Sequence, residues 1–127
     1  MLGGSGTIFG NVTNGGQLSP GNSIGTLTVT GSFTQTAGST YQVETNPQGQ
    51  ADLVNVSGAP GTATIAGGSV SALPLAGIYA PRTTYTILSA TGGVTGTYSS
   101  VASNLPFLQP SLSYDANNVF LTLTIGG

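Results

Sequence analysis

Four side chains in this sequence carry the charge that acid–base or metal chemistry could use: Glu44, Asp52, Asp115 and Arg82. Histidine, cysteine and lysine are absent, which removes the commonest general base, the thiol nucleophile and the Schiff-base former. An enzymatic reading therefore rests on carboxylates. Glu44 and Asp52 flank the polar stretch NPQGQ at 46–50, close enough to meet across one loop as a paired acid and base. The plainer expectation is that Glu44 is a solvated strand residue and that Asp52 bonds a turn amide. Arg82 follows Pro81 and is expected to face water rather than a carboxylate. A calcium site wants several carboxylates on one loop, and three dispersed acids do not supply them. The glycine clusters at 3–6 and 92–96 neither open a helix nor carry a lysine, so they read as turns rather than phosphate cradles. No catalytic residue, metal site or cofactor is expected, and the chain is read as a non-enzyme.

Two weaker signals complete the search for chemistry. Tyr41, Tyr79, Tyr85, Tyr98, Tyr114, Phe9, Phe33, Phe107 and Phe120 could form a carbohydrate platform, but they alternate with polar residues and are expected mostly in the core or at a capped end. Asn11-Val12-Thr13 and Asn55-Val56-Ser57 fit the N-glycosylation pattern and are read as ordinary strand sequence.

The elements that would position these residues are β-strands. In 127 residues, 38% are hydrophobic and only 3% charged, against roughly a quarter charged in ordinary soluble domains. Disordered chains of low charge rarely keep a regular alternation of Val, Ile, Leu and Tyr, and this one keeps it from end to end. Twenty-one glycines and seven prolines interrupt every candidate helix, so helix is expected to be nearly absent. The formal charge of −2 leaves no basic footprint for nucleic acid. The absence of cysteine excludes disulfides without fixing a compartment. No apolar run reaches the ~20 residues of a membrane span, and the first four residues lack the features of a signal peptide. The abrupt start and the final Gly126-Gly127 are expected to be cut ends of a larger protein, and the chain is read as a single domain, 1–127.

The organising stretch is 17–44, QLSPGNSIGTLTVTGSFTQTAGSTYQVE. Leu27 and Val29 share one face of a strand and Thr26, Thr28 and Thr30 the other. Gly31 is expected to end that strand, 32–37 to form a second ended by Gly38, and 40–44 a third with Tyr41 and Val43 inward. A chain that turns every six or seven residues in this way reads as one winding of a parallel β-solenoid. The pattern Gly-Thr-x-Thr-aliphatic-x-Gly at 25–31 returns at 61–67, with Val54, Val56 and Gly58 echoing Leu27, Val29 and Gly31 between them. Irregular spacing of this kind suits rungs joined by unequal loops. The expected rung core is Leu27, Val29, Phe33, Tyr41, Val43, Val54, Val56 and Ile65. Turns are expected at 14–16 and 19–22, where Gly, Asn and Pro supply the chemistry.

Strands are expected further on at 69–73, 83–90 and 94–98, with a bend across 74–81 and an extended segment at 105–110 whose prolines keep it out of a central strand. Rungs are placed at about 6–73 and a capping part at about 74–125. The last element is a hairpin: 111–114 and 119–125 flank Asp115-Ala116-Asn117-Asn118, whose asparagines suit left-handed positions. Tyr114, Asn117, Asn118, Val119, Phe120, Leu121 and Leu123 are its named residues. An antiparallel hairpin here would close a stack of parallel strands and hide an edge.

The pieces LSPGNSIGTLTVTGSFTQTAGSTYQVE, ADLVNVSG, GTATIAGGSV, YTILSATGGVTGTY and LPFLQPSLSYDANNVFLTL, in this order, resemble the C-terminal part of the passenger of bacterial autotransporters, the type V secretion proteins. The resemblance runs from about Gly6 to Thr124. It implies a right-handed parallel β-helix, preceding an outer-membrane β-barrel and associated with an autochaperone role that seeds folding of the rest of the passenger at the cell surface. Its implied partners are the remaining passenger and the downstream barrel. The alternative is a surface adhesin or self-association module binding a host glycan or protein. Self-association through an uncapped end is expected in either case.

Overall fold

The structure, a computed structural model, describes residues 2–3, 6–19, 24–75, 77–105 and 107–125. The expected turn at 19–22 falls almost wholly outside them, as do Gly4 and Ser5 of the first glycine cluster, Pro106 and the terminal residues 1, 126 and 127. Every regular element among the described residues is a strand, which agrees with the all-β reading. In chain order these are β1 (Leu2–Gly3), β2 (Gly6–Asn14), β3 (Gln17–Ser19), β4 (Thr26–Gln35), β5 (Thr40–Thr45) and β6 (Leu53–Ile65). Then come β7 (Ser69–Pro74), β8 (Arg82–Ala90), β9 (Gly93–Gly96), β10 (Ser100–Ser103), β11 (Leu108–Tyr114) and β12 (Asn118–Ile125).

Through β7 the chain alternates between two sheets. The first four odd strands and β10 build one in the order β1-β3-β5-β7-β10, and the second runs β11-β12-β8-β6-β4-β2, with β9 also paired to β6. Within the first sheet, and from β2 to β8 and β9 in the second, neighbours are parallel. Like side chains therefore stack. Leu27 lies over Val54 and Val54 over Leu88, and Val29 over Val56 over Ala90. Phe33 lies over Ala63 over Val94, and Leu18 over Tyr41 over Val70 over Val101. Period-two alternation puts each of these columns on the inward face, and β4, for instance, alternates half-buried and buried from Thr28 to Gln35.

Three expectations need correction. Gly31 does not end a strand: it sits inside β4 at φ +145°, opposite Gly10. A Cβ there would collide with the Gly10 carbonyl oxygen, so the residue permits close approach of two backbones rather than a stop. Opposite Gly31 on the other side, β6 carries extra residues, since Thr30 pairs with Ser57 but Ser32 with Thr62. Second, parallel pairing does not stop near residue 73; β8, β9 and β10 continue it on β6 and β7, and the change to antiparallel comes at β12. Third, the strand placed at 94–98 is shorter, β9 ending at Gly96, and a strand at Ser100–Ser103 follows it. There the only strong apolar signal is Val101, which is too little to read without its partner Val70. Pro110 falls within β11, an edge strand, where a missing N–H is tolerated.

Candidate functional site

The end of the second sheet is where parallel stacking stops and an antiparallel hairpin takes over. β11 and β12 pair from Leu108↔Ile125 to Tyr114↔Val119, and β12 pairs antiparallel with β8. Val119, Leu121 and Leu123 are fully buried against a core that includes Tyr85, Ile87, Leu88 and Leu108. On the opposite face the hydroxyls of Thr84 and Thr122 meet at 3.0 Å and Phe120 is half-buried; Tyr114, paired with Val119, packs half-buried against the core, and Ile125 at the strand's end is exposed.

The hairpin turn works differently from the expected left-handed asparagines, because no described non-glycine residue has positive φ. Instead Asp115 Oδ1 accepts the Asn117 amide (2.9 Å) and Asn118 Nδ2 (3.0 Å), an Asx turn. The Asn117 amide bond, foremost, holds the Asp115 carboxyl below the usual carboxylate range. Asn117 then serves as a clasp. Its Nδ2 donates to Ala90 O at 2.8 Å, its carbonyl accepts the Ala90 amide at 2.8 Å, and the neighbouring Ala116 carbonyl accepts Val94 N at 2.9 Å. The turn is thereby fixed to the end of β8 and the start of β9.

All eight expected rung residues, Leu27, Val29, Phe33, Tyr41, Val43, Val54, Val56 and Ile65, are buried. The core also takes in Leu18, Val70, Ala72, Tyr79, Tyr85, Ile87, Leu88 and Tyr98. Beside it runs a polar column: Asn14 stacks on Gln35 and Gln35 on Ile65, and Asn14 Nδ2 and Gln35 Nε2 are buried without a partner.

Asp52 is fully buried. Its Oδ1 accepts the Gly25 amide at 2.7 Å and its Oδ2 the Glu44 amide at 2.9 Å, while its own amide donates to Glu44 O at 2.9 Å. Desolvation raises its pKa to about 6, partly offset by the two amide bonds. Glu44 and Asp52 are thus neighbours, but both Asp52 oxygens are engaged by main-chain donors, and Glu44 is half-exposed on the outward face of β5. Arg82 is exposed. Among the described residues no group of acids is placed to hold a metal.

The tyrosines, expected mostly in the core or at a capped end, form a hydrogen-bonded set that sequence reasoning did not identify. The Tyr41 hydroxyl donates to Ile87 O (2.7 Å), that of Tyr79 to Leu75 O (2.8 Å) and Thr45 O (3.2 Å), and that of Tyr85 to Asn46 O (2.9 Å). Tyr98 donates to Gln35 Oε1 at 2.9 Å, and its amide bonds the Tyr114 hydroxyl at 3.0 Å. Burial, above all, pushes the phenols of Tyr41, Tyr85 and Tyr98 up, so they stay donors across the ordinary pH range. The available signal was tyrosine, rather than phenylalanine, at inward positions, since a buried phenol needs a polar partner. No aromatic platform forms: Phe33, Tyr41, Tyr79, Tyr85 and Tyr98 are buried, Tyr114 and Phe120 are half-buried, and Phe9 and Phe107 are exposed near opposite edges of the second sheet.

No family model matches the chain. Over 94% of its length it is similar, at 34% identity across 141 aligned positions, to the extracellular serine protease of Serratia marcescens, and it spans 13% of that protein's length.

Proposed function

We propose that this chain is the C-terminal segment of an autotransporter passenger, a right-handed parallel β-helix whose role is to fold as a stable nucleus and template the turns that precede it. The observation that carries this reading is the asymmetry of the second sheet. One end turns antiparallel and finishes in an edge strand that carries Pro110, with β12 anchored by Leu121, Leu123 and the Asn117 clasp, whereas the other ends in the nine-residue parallel edge strand β2. A hairpin with one face of β12 buried supplies local, early-forming contacts, and an open parallel edge can receive the next turn. The similarity to an extracellular protease of far greater length supports placement inside a larger exported protein, at the cell surface or beyond it. Catalysis belongs elsewhere in such a protein, because the one buried acid, Asp52, is occupied by backbone amides.

On this reading the partners are the preceding passenger turns, the barrel that follows, and a second copy of the open edge when those turns are missing. β2 carries no charge and no proline, the usual devices against edge pairing. The test is to express the full-length parent with Leu121→Asp and follow passenger exposure and protease resistance at the cell surface. A passenger that folds and resists protease as well as the unaltered protein would falsify the proposal.

A further inference from the structure

We propose that the cleft beside β8 is a slot for a short, uncharged peptide in extended conformation, which adds as a strand to the free edge of β8 at Thr84 and Thr86. The cleft, about 450 Å³, is lined on one side by Thr84, Tyr85 and Thr86 and on the other by Thr26, Leu53 and Gln50, among others. It exists because β8 changes partners along its length. Leu88 and Ser89 pair with both β6 and β12, but Arg82 to Thr86 pair with β12 alone.

The direction of the backbone groups follows from one bond. Ile125 N donates to Pro81 O at 2.9 Å, so Pro81, Thr83 and Tyr85 turn their main-chain groups toward β12, and strand alternation turns those of Thr84 and Thr86 the other way. The close Thr84–Thr122 hydroxyl contact fits this register, since side chains approach most closely at a non-hydrogen-bonded pair. Among the described residues nothing accepts from or donates to the main chain of Thr84 or Thr86 on the cleft side. An incoming strand would satisfy these groups, as strand addition to an open edge does elsewhere.

The lining selects the class of ligand. None of the residues around the cleft is charged, and Asp52, between Ala51 and Leu53, turns both oxygens away to the amides of Gly25 and Glu44. A charged peptide would lose hydration without gaining a partner. A sugar would want an exposed aromatic face, but the Tyr85 ring is 2% exposed and its hydroxyl is committed to Asn46 O. Backbone bonds with small β-branched side chains remain as the matching chemistry.

The probe is the blocked peptide acetyl-Thr-Leu-Thr-Val-Thr-amide, titrated into the intact chain while backbone amide shifts are followed by NMR. Saturable shifts are expected at Thr84, Thr86, Gln50 and Leu53. N-methylation of alternate peptide amides should weaken binding about tenfold or more, the loss expected for one to two hydrogen bonds. Gln50→Trp, on the rim, should weaken it similarly by filling the cleft. Absence of saturable shifts, equal binding of the N-methylated peptide, or shifts at these residues from a neutral maltooligosaccharide in place of the peptide would each overturn the proposal. The N-methyl comparison uses the unaltered chain, so it decides the matter even if Gln50→Trp fails to fold.

Discussion

The carboxylate of Asp52 accepts the backbone amide of Glu44 at 2.9 Å, so the two residues that alone could have formed an acid–base pair are joined through the main chain. The second oxygen holds Gly25 at 2.7 Å, at the entrance to β4. One buried side chain thus ties the start of β4 to the end of β5 and the start of β6. Asp52→Ala leaves two amides without an acceptor and is expected to cost about 1–3 kcal/mol at neutral pH, measured by denaturant unfolding.

The same residue sets a pH dependence. Its pKa rises from 3.8 to about 6 on folding, chiefly through desolvation. A folded value above the unfolded one means that folding takes up a proton between them. The contribution of this group is therefore fully present below about pH 4 and is lost as pH rises through about 6. Asp115, with its carboxyl held low by the Asn117 amide, acts in the opposite sense and loses its contribution as pH falls through its folded pKa. Unfolding free energies measured from pH 4 to 7 should fall with pH more steeply in the unaltered chain than in Asp52→Asn. Parallel curves would rule out Asp52 as the source.

Leu121 is fully buried in the closing hairpin and paired opposite Tyr85 of β8. Leu121→Ala should cost about 2–5 kcal/mol. Leu121→Asp places a charge in the same core and should abolish cooperative unfolding, as read by circular dichroism during heating; a melt like that of the unaltered chain would refute the nucleus role of the hairpin.

Tyr98 and Gln35 offer a cleaner double test. The phenol donates to Gln35 Oε1, and Gln35 Nε2 has no partner of its own. Tyr98→Phe strips the amide of its one bond and should cost about 1–2 kcal/mol. Gln35→Leu in the Tyr98→Phe background should recover much of that, because removing both polar groups is nearly neutral where removing one is not. Additive losses in the four-variant cycle would contradict the pairing.

Gly31 and Gly38 separate two uses of glycine. At Gly31 a methyl group meets the Gly10 carbonyl, and the backbone has φ +145°; at Gly38 nothing lies within 4 Å of the added atom. Gly31→Ala should destabilise by about 1–3 kcal/mol and Gly38→Ala by less than about 0.5 kcal/mol. Thermal melts of the two variants check the contrast.

Much of this architecture was legible because alternation is a local property. Leu27 and Val29, Tyr41 and Val43, and Val119, Leu121 and Leu123 announce their inward faces within a few residues. What escaped reading depends on partners distant in sequence. Gly31 looks like a terminator until Gly10 is placed against it. The strand at Ser100–Ser103 has one strong apolar residue and gains its identity from β7. Asn117 and Asn118 suggested left-handed backbone, yet Asn117 is used for its amide, which reaches Ala90. Asp52 was open to two readings, and burial beside the amides of Gly25 and Glu44 favours the plainer one.

The tyrosine hydroxyls have a further consequence. A stack of short Thr-, Ser- and Val-rich strands offers nearly the same surface after a shift of two residues, so alternation alone specifies its register weakly. Tyr41 reaches Ile87, Tyr85 reaches Asn46 and Tyr98 reaches Gln35, and a slipped turn would bury each phenol with nothing to bond. The observed threading satisfies all three hydroxyls together, and a shifted one would strand them in the core.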